Sequence, residues 1–453
     1  MIYTMMNASR PFLFTLLVVS FVLQTLTGWQ WLLGVEGTLA LLSLLVSLHA
    51  ARRMFQIVAA IFLTAGMFCV VWAGVPLARF PYLMTSNVML ISLLYMLPFI
   101  NRVIRIGGYD RHLSRWLNIR SGHLGHLYIR SLAVSYLLSL FLFFAAIPLL
   151  YRVLSKHLQG QDKHRVNRFM SMSILRGFGI VAVWSPVEPL VATAVLITGV
   201  SYLSLLPWML GLSAILLAAG SLWGLQFRKI PLNHQDDGTP QLAPSWSKTG
   251  AFLLALVLLI GSAFALQTVL GISFFAAMTF ALLPFSLLWA VILRRFNRFI
   301  STSRKQWKHN VNDLRHLLVL FLSFGFFNSA VSKTHLFQLM EGPVQAISQW
   351  PALLFVFILA ACLILPVIGV HPLVVMSLFG FFLQPILQIM NPLSIAILLI
   401  TACLCSSFMG TFNSTVTIMS GLLQVNPYRI TMWNLGFGLV FGGIGVIAAL
   451  CLL

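Results

Sequence analysis

The sequence predicts an all-α polytopic membrane protein of about 11 transmembrane helices plus two re-entrant hairpins, in two repeats of inverted topology. Three observations carry this. The 453 residues are 60% hydrophobic and 8% charged, with a mean hydropathy of +0.96, and several apolar runs exceed the roughly 20 residues that span a bilayer. The Lys and Arg residues behind the net charge of +20 cluster between those runs, as cytoplasmic retention of basic loops requires. Two long apolar stretches, 172–213 and 400–441, are broken by proline and polar residues.

Taken in order, residues 1–29 form an N-terminal span (about 11–29, behind Arg10), and the first repeat occupies 30–227. It opens with spans at about 30–48, 54–76 and 83–101. Arg52-Arg53 and a loop with Arg102, Arg105, Arg111, Arg115, Arg120 and Arg130 place the N-terminus in the cytoplasm. Residues 131–151 have basic flanks on both sides, Arg130 before and Arg152, Lys156, Lys163, Arg165 and Arg168 after. One crossing would expose a basic cluster outside, and two crossings need about 40 residues. A cytoplasmic re-entrant hairpin bending near Ala145-Ala146-Ile147-Pro148 fits both constraints; a single helix against the charge rule is the alternative.

The broken helix 169–199 follows, interrupted at Trp184-Ser185-Pro186-Val187-Glu188-Pro189, and a second interruption lies near Gly199-Val200-Ser201. Two prolines remove backbone donors and disfavour helix just before them. Unsatisfied backbone in hydrocarbon is costly, so such a break belongs inside protein or against a wet cavity. A span at 207–226 leads to a polar cytoplasmic linker, 228–248, containing Asn233, Asp236, Asp237 and Gly238. The second repeat, 249–453, has spans at about 249–268, 271–293 and 314–332, with the basic run Arg294–Lys308 inside and Lys333 and Glu341 outside. A hairpin at 351–383 bends near Gly369-Val370-His371-Pro372; the broken helix 393–423 and a last span at 430–453 complete it. Pairing Trp208 with Trp433, 225 positions on, sets Glu188 against Asn413 and Ser201 against Asn426. The second span runs inward and its counterpart outward, hence the inversion.

Composition also excludes. Basic residues confined to loops argue against nucleic acid as a partner. Cys69, Cys362, Cys403, Cys405 and Cys451 all lie in apolar runs and read as small hydrophobes, not as disulfides or metal ligands. No Gly-rich phosphate loop supports ATP-driven pumping. The first apolar run lacks a small-residue cleavage site and reads as a span.

The order span, hairpin, broken helix, span, used twice, resembles the ion transporter superfamily. That group includes divalent-anion/sodium symporters, arsenite permease and sodium/proton antiporter relatives, and the large membrane subunits of TRAP transporters. The stretches that look alike are GFGIVAVWSPVEPLVATAVLITGVSYLSLLPWML (177–210) and HLLVLFLSFGFFNSAVSKTHLFQLM (316–340). The tips depart from the family's Ser-Asn-Thr pattern: Phe143-Phe144-Ala145-Ala146 is apolar, and the second tip offers His371. The resemblance implies an elevator mechanism, often in a homodimer, with substrate between hairpin tips and unwound backbone.

Site expectations rest on chemistry. An ionised carboxylate within the membrane is costly, so Glu188 suits proton carriage or cation ligation, or else stabilises the break. Ser185 supplies a hydroxyl beside helix-end N–H groups that attract anions, or merely caps. Thr411, Asn413, Ser414, Thr415 and Thr417 offer neutral oxygens and amides suited to sodium or a polar substrate. His371 can titrate near neutral pH or serve structurally. Arg176 can meet an anion or snorkel to the cytoplasmic surface. The function expected is a secondary active transporter, sodium- or proton-coupled, moving a small organic or inorganic anion across a plasma or inner membrane. It needs no cofactor beyond Na+ or H+ as coupling ion, and membrane lipid as its medium. The alternatives are a sodium/proton antiporter or metalloid exporter, a membrane-embedded enzyme acting on a lipid-linked substrate, and a membrane subunit that needs a partner.

Overall fold

The computed structural model describes residues 2–109, 117, 123–229, 246–334 and 347–453. Arg111, Arg115, Arg120, Glu341 and nearly all of the linker 228–248 lie outside the described residues. Every described element is helical. In chain order they are α1 (Ile2–Thr27), α2 (Gln30–Leu48), α3 (Arg53–Trp72), α4 (Phe80–Leu83), α5 (Val88–Gly107), α6 (Leu124–Leu142), α7 (Ala146–His157), α8 (Lys163–Ala182), α9 (Pro189–Thr198) and α10 (Tyr202–Trp223). There follow α11 (Trp246–Leu270), α12 (Phe274–Ile292), α13 (Phe296–Asp313), α14 (Arg315–Val331), α15 (Pro351–Val367), α16 (Pro372–Phe382), α17 (Pro392–Leu404), α18 (Ser406–Met409), α19 (Ser414–Leu423) and α20 (Pro427–Leu450). Among the described residues nine helices are long and apolar enough to cross a membrane, ten if the bent pair α13–α14 is one span. The chain is a multi-pass helical membrane protein. The first broken segment is not among the nine, because α8 opens on the polar run Lys163–Arg168.

Two compact units emerge. Unit 1 contains Met1–Gly107 and Leu256–Val344; unit 2 contains Gly108–Ala255 and Gln345–Leu453, and the boundary falls inside α11. In unit 1, α3 packs on α14 and α12 on α5, while α1 packs on α2 and α5. Close approach of α2 and α4 depends on glycine: a Cβ on Gly37 would lie 1.9 Å from the Pro81 carbonyl oxygen. Glu36 beside it is 2% exposed, and its Oε2 has no hydrogen-bond partner among the described residues.

In unit 2 the packing is reciprocal. Helix α9 packs on α16 and α17, and α19 packs on α7 and α8. Helix α6 packs on α8, and α15 on α17. Helix α20 presents a glycine face: a Cβ on Gly438 would meet Met409 Sδ at 2.4 Å, and one on Gly445 would meet Thr401 Oγ1 at 2.0 Å. Small residues at such seams are how membrane helices approach closely without a hydrophobic drive.

Several boundaries differ from expectation. The segment at 131–151 breaks over Phe143–Ala145, with φ 48° at Phe143, so the break starts two residues before the expected bend at Ala145–Pro148, and Pro148 sits in the first turn of α7. Proline is at home there because a first-turn N–H has no intrahelical partner to lose. Arg130 and Arg152, taken as flanks, lie within α6 and α7. The basic run after Ile292 is not a plain loop: most of it is the helix α13, bent by 49° from α14. Cys451 is exposed while the other four cysteines are buried.

Candidate functional site

Both predicted interruptions exist in unit 2, and they are built alike. After α8, the Ser185 N–H donates to the Ala182 carbonyl at 3.3 Å and the Glu188 N–H to the Ser185 carbonyl at 3.2 Å. Glu188 then takes the N-cap of α9 with φ −80° and ψ 121°, followed by Pro189. Helix α9 lasts 10 residues and stops at Gly199 in the left-handed conformation; Ser201 caps α10, its side chain accepting from the Ser204 N–H at 3.4 Å. At the second interruption the chain extends at Gly410, and the Asn413 N–H donates to the Gly410 carbonyl at 2.9 Å. Asn413 takes the N-cap of the 10-residue α19, which stops at Gln424, also left-handed. Asn426 caps α20, accepting from the Tyr428 N–H at 2.9 Å. Glu188 and Asn413, Gly199 and Gln424, and Ser201 and Asn426 are each 225 positions apart.

The exposed backbone is satisfied locally, as an apolar environment demands. The Trp184 carbonyl accepts from the Tyr202 hydroxyl at 2.6 Å. Trp184 Nε1 donates to the Tyr136 hydroxyl at 2.7 Å, which pairs with Ser213 Oγ at 2.9 Å. At the second break, Asn413 Nδ2 donates to the Ser406 carbonyl at 3.2 Å, and Thr411 Oγ1 pairs with Thr431 Oγ1 at 3.0 Å. Thr415 Oγ1 donates to the Ser407 carbonyl and lies 3.4 Å from Asn413 Oδ1. The Thr415 hydroxyl thus has two oxygens for neighbours, the Ser407 carbonyl and Asn413 Oδ1. The caps correspond in position. Asn413 Oδ1 accepts from the Thr415 N–H at 3.4 Å, and the carboxylate of Glu188 stands at the same N-cap position without a side-chain cap bond.

Packing brings these elements together. A Cβ on Gly179, one turn before the first break, would lie 2.4 Å from the ring of Phe408, just before the second. A Cβ on Gly410 would be 3.3 Å from Pro366 Cβ, and one on Gly369 would be 3.5 Å from the Phe412 ring, so the bend between α15 and α16 rests on the second break. At the other bend, Phe144 stacks on Phe178 of α8 with ring centroids 5.7 Å apart.

The expected site residues divide. Ser185 is 3% exposed and its Oγ has no hydrogen-bond partner among the described residues. Thr411 and Thr415 are buried; Glu188, Asn413 and Ser414 are partly exposed; Thr417 is exposed and turned away from the oxygen cluster. His371 is partly exposed and caps α16, Nδ1 accepting from the Leu373 N–H at 3.3 Å, a structural duty. Arg176 does not snorkel. It is 0% exposed, donating through Nε to Asn434 Oδ1 at 3.0 Å, Nη1 to the Tyr128 hydroxyl at 3.3 Å and Nη2 to the Trp433 carbonyl at 3.0 Å. Its guanidinium also lies 4.7 Å from the Phe437 ring centroid and 5.2 Å from that of Trp223. Missed from the sequence were Thr431, Tyr136, Tyr202 and the carbonyls of Ser406 and Ser407. A pair of serines in the apolar run ahead of Gly410 was the only local signal.

No protein-family model matches this chain, and no curated protein matches it either. A solved structure does. The chain is similar in fold to the YdaH transporter of Alcanivorax borkumensis, whose crystal structure is described as revealing an unusual topology. The TM-score is 0.60 at 13% identity, over 87% of this chain and 98% of that one. At that identity the likeness is one of architecture.

Proposed function

We propose that this protein is a secondary active transporter, coupled to Na+ or H+, that moves a small organic or inorganic anion by an elevator-type motion of unit 2. One observation carries the reading: two helix interruptions in one compact unit, each starting a 10-residue helix with a polar residue at the N-cap position, within a fold shared with a solved transporter. Caps 225 positions apart and the reciprocal packing of α9 and α19 support two repeats of one unit in opposite orientation. Two helix N-termini, α9 and α19, favour an anion at their ends. The oxygens that the second break gathers around Thr415, the Ser407 carbonyl and Asn413 Oδ1, are of the kind that ligates a hard monovalent cation, and Ser185 Oγ is a buried hydroxyl ready for a ligand. Glu188 is the group that can carry a proton. A multi-pass placement in the plasma or inner membrane with a cytoplasmic N-terminus follows from the basic segments, and a homodimer is the expected assembly.

Thermal unfolding of purified protein, with and without sodium, against a panel of small carboxylates and oxyanions tests this. Sodium in place of potassium is expected to raise the midpoint, and the stabilising anion to do so more in sodium. Glu188→Gln is expected to abolish or uncouple uptake of that anion into proteoliposomes at unchanged folded yield. Wild-type uptake with unchanged pH dependence would remove the role given to Glu188. Anion-independent exchange of Na+ for H+ would favour the antiporter reading.

A further inference from the structure

The corner between α12 and α13, in unit 1, holds an open cleft of about 560 Å³ lined by Val291, Arg294, Arg295, Phe296, Asn297 and Arg298. Three arginines meet there and no carboxylate does. Arg295 occupies the N-cap of α13 without a side-chain cap bond, and the first turn, which contains Arg298, has no acid. A helix start already carries partial positive charge and prefers anions, so three cations around it leave a concentrated positive potential. Among the described residues no carboxylate pairs with any of the three. Arg295 is engaged in part, Nη1 donating to the Ile106 carbonyl at 2.6 Å. Arg294 and Arg298 are exposed.

Apolar surface adjoins the charge. Helix α12 is a membrane span, and its last residues, Val291 and Ile292, are 54% and 68% exposed; beyond the arginines, Phe296 and Ile300 are each 42% exposed. Hydrocarbon-facing side chains thus run directly into a cationic pocket, the order in which acyl chain and phosphate follow one another in a lipid. Lys305 and Lys308, farther along α13, are exposed too and supply only diffuse attraction to an anionic surface.

We propose that this cleft binds the headgroup phosphate of one anionic phospholipid of the surrounding bilayer, with the acyl chains lying along Val291 and Ile292. The test is native mass spectrometry of protein released from nanodiscs of phosphatidylcholine with and without phosphatidylglycerol, counting retained anionic lipid. Arg294→Gln with Arg298→Gln is expected to lower that retention at least tenfold, and Lys305→Gln with Lys308→Gln to leave it within twofold. Arg294→Gly covers a folding defect. Arg294 sits at φ 55°, where glycine is less strained, so this variant is expected to fold as well as wild type and still lose lipid. Equal losses in both double variants would overturn the proposal, as would full retention by Arg294→Gly. So would displacement of the lipid by millimolar inorganic phosphate, which would mark a site for free anions.

Discussion

At the scale of single residues, the arrangement separates side chains that hold the fold from those left available. Arg176 holds it: its donors reach Asn434, Tyr128 and the Trp433 carbonyl, and Asn434 Nδ2 in turn donates to Ser171 Oγ at 3.1 Å. Replacing it by methionine strands those neutral acceptors in an apolar interior, and the loss is expected to be about 1–3 kcal/mol, read as a lower unfolding midpoint in detergent. Glu36 is the opposite case, a buried carboxyl with an unpaired oxygen. Glu36→Leu removes an unsatisfied polar atom and is expected to keep or raise that midpoint; a fall would mean that the carboxyl has a partner in the folded protein. Such roles were only partly legible in the sequence. The position of Glu188 at the break was legible because it is an acid between two prolines. The burial of Arg176 was not, because two of its three acceptors lie on the last helix, 257 and 258 positions away, and no local pattern reports them.

At the scale of elements, the sequence spoke best where backbone chemistry is strict. Proline and glycine marked both ends of α9, and the polar caps of α19 and α20 were visible as Asn413 and Asn426. It spoke least where a helix is held by tertiary contacts. The basic run Arg294–Lys308 marks only a cytoplasmic segment in the sequence, yet in α13 Phe299 and Val311 are buried and Trp307 Nε1 donates to the Tyr95 hydroxyl at 2.9 Å. The left-handed stops allow a direct comparison. Gln424→Gly is expected to stabilise by up to about 1 kcal/mol because glycine adopts that conformation without strain, whereas Gly199→Ala is expected to destabilise by about 1 kcal/mol. Both shifts are measurable by thermal unfolding. Gly179→Val is expected to be worse than either, since even a Cβ there enters the Phe408 ring.

At the scale of the whole molecule, the hydropathy pattern anticipated a multi-pass helical membrane protein, and that is what the helices form. The division into two units was not written in any linker, because each unit is assembled from two separate stretches of chain. Inverted orientation of the bends is checked by labelling. Single cysteines at Phe144 and Ile368, 41% and 67% exposed, in a background with the native cysteines replaced, are expected to react with a membrane-impermeant maleimide from opposite faces. Reaction from one face would remove the inversion.

The Arg176 clamp has a mechanical corollary. It ties α8, from the first half of unit 2, to α20, from the second, through a guanidinium with no aqueous route for its charge. Prising those halves apart would leave that cation with the Tyr128 hydroxyl alone of its three acceptors, a barrier of several kcal/mol. A cargo gate that worked by splitting this seam would therefore be slow and steeply temperature-dependent, whereas a cargo carried by the intact unit would leave the clamp undisturbed through every cycle.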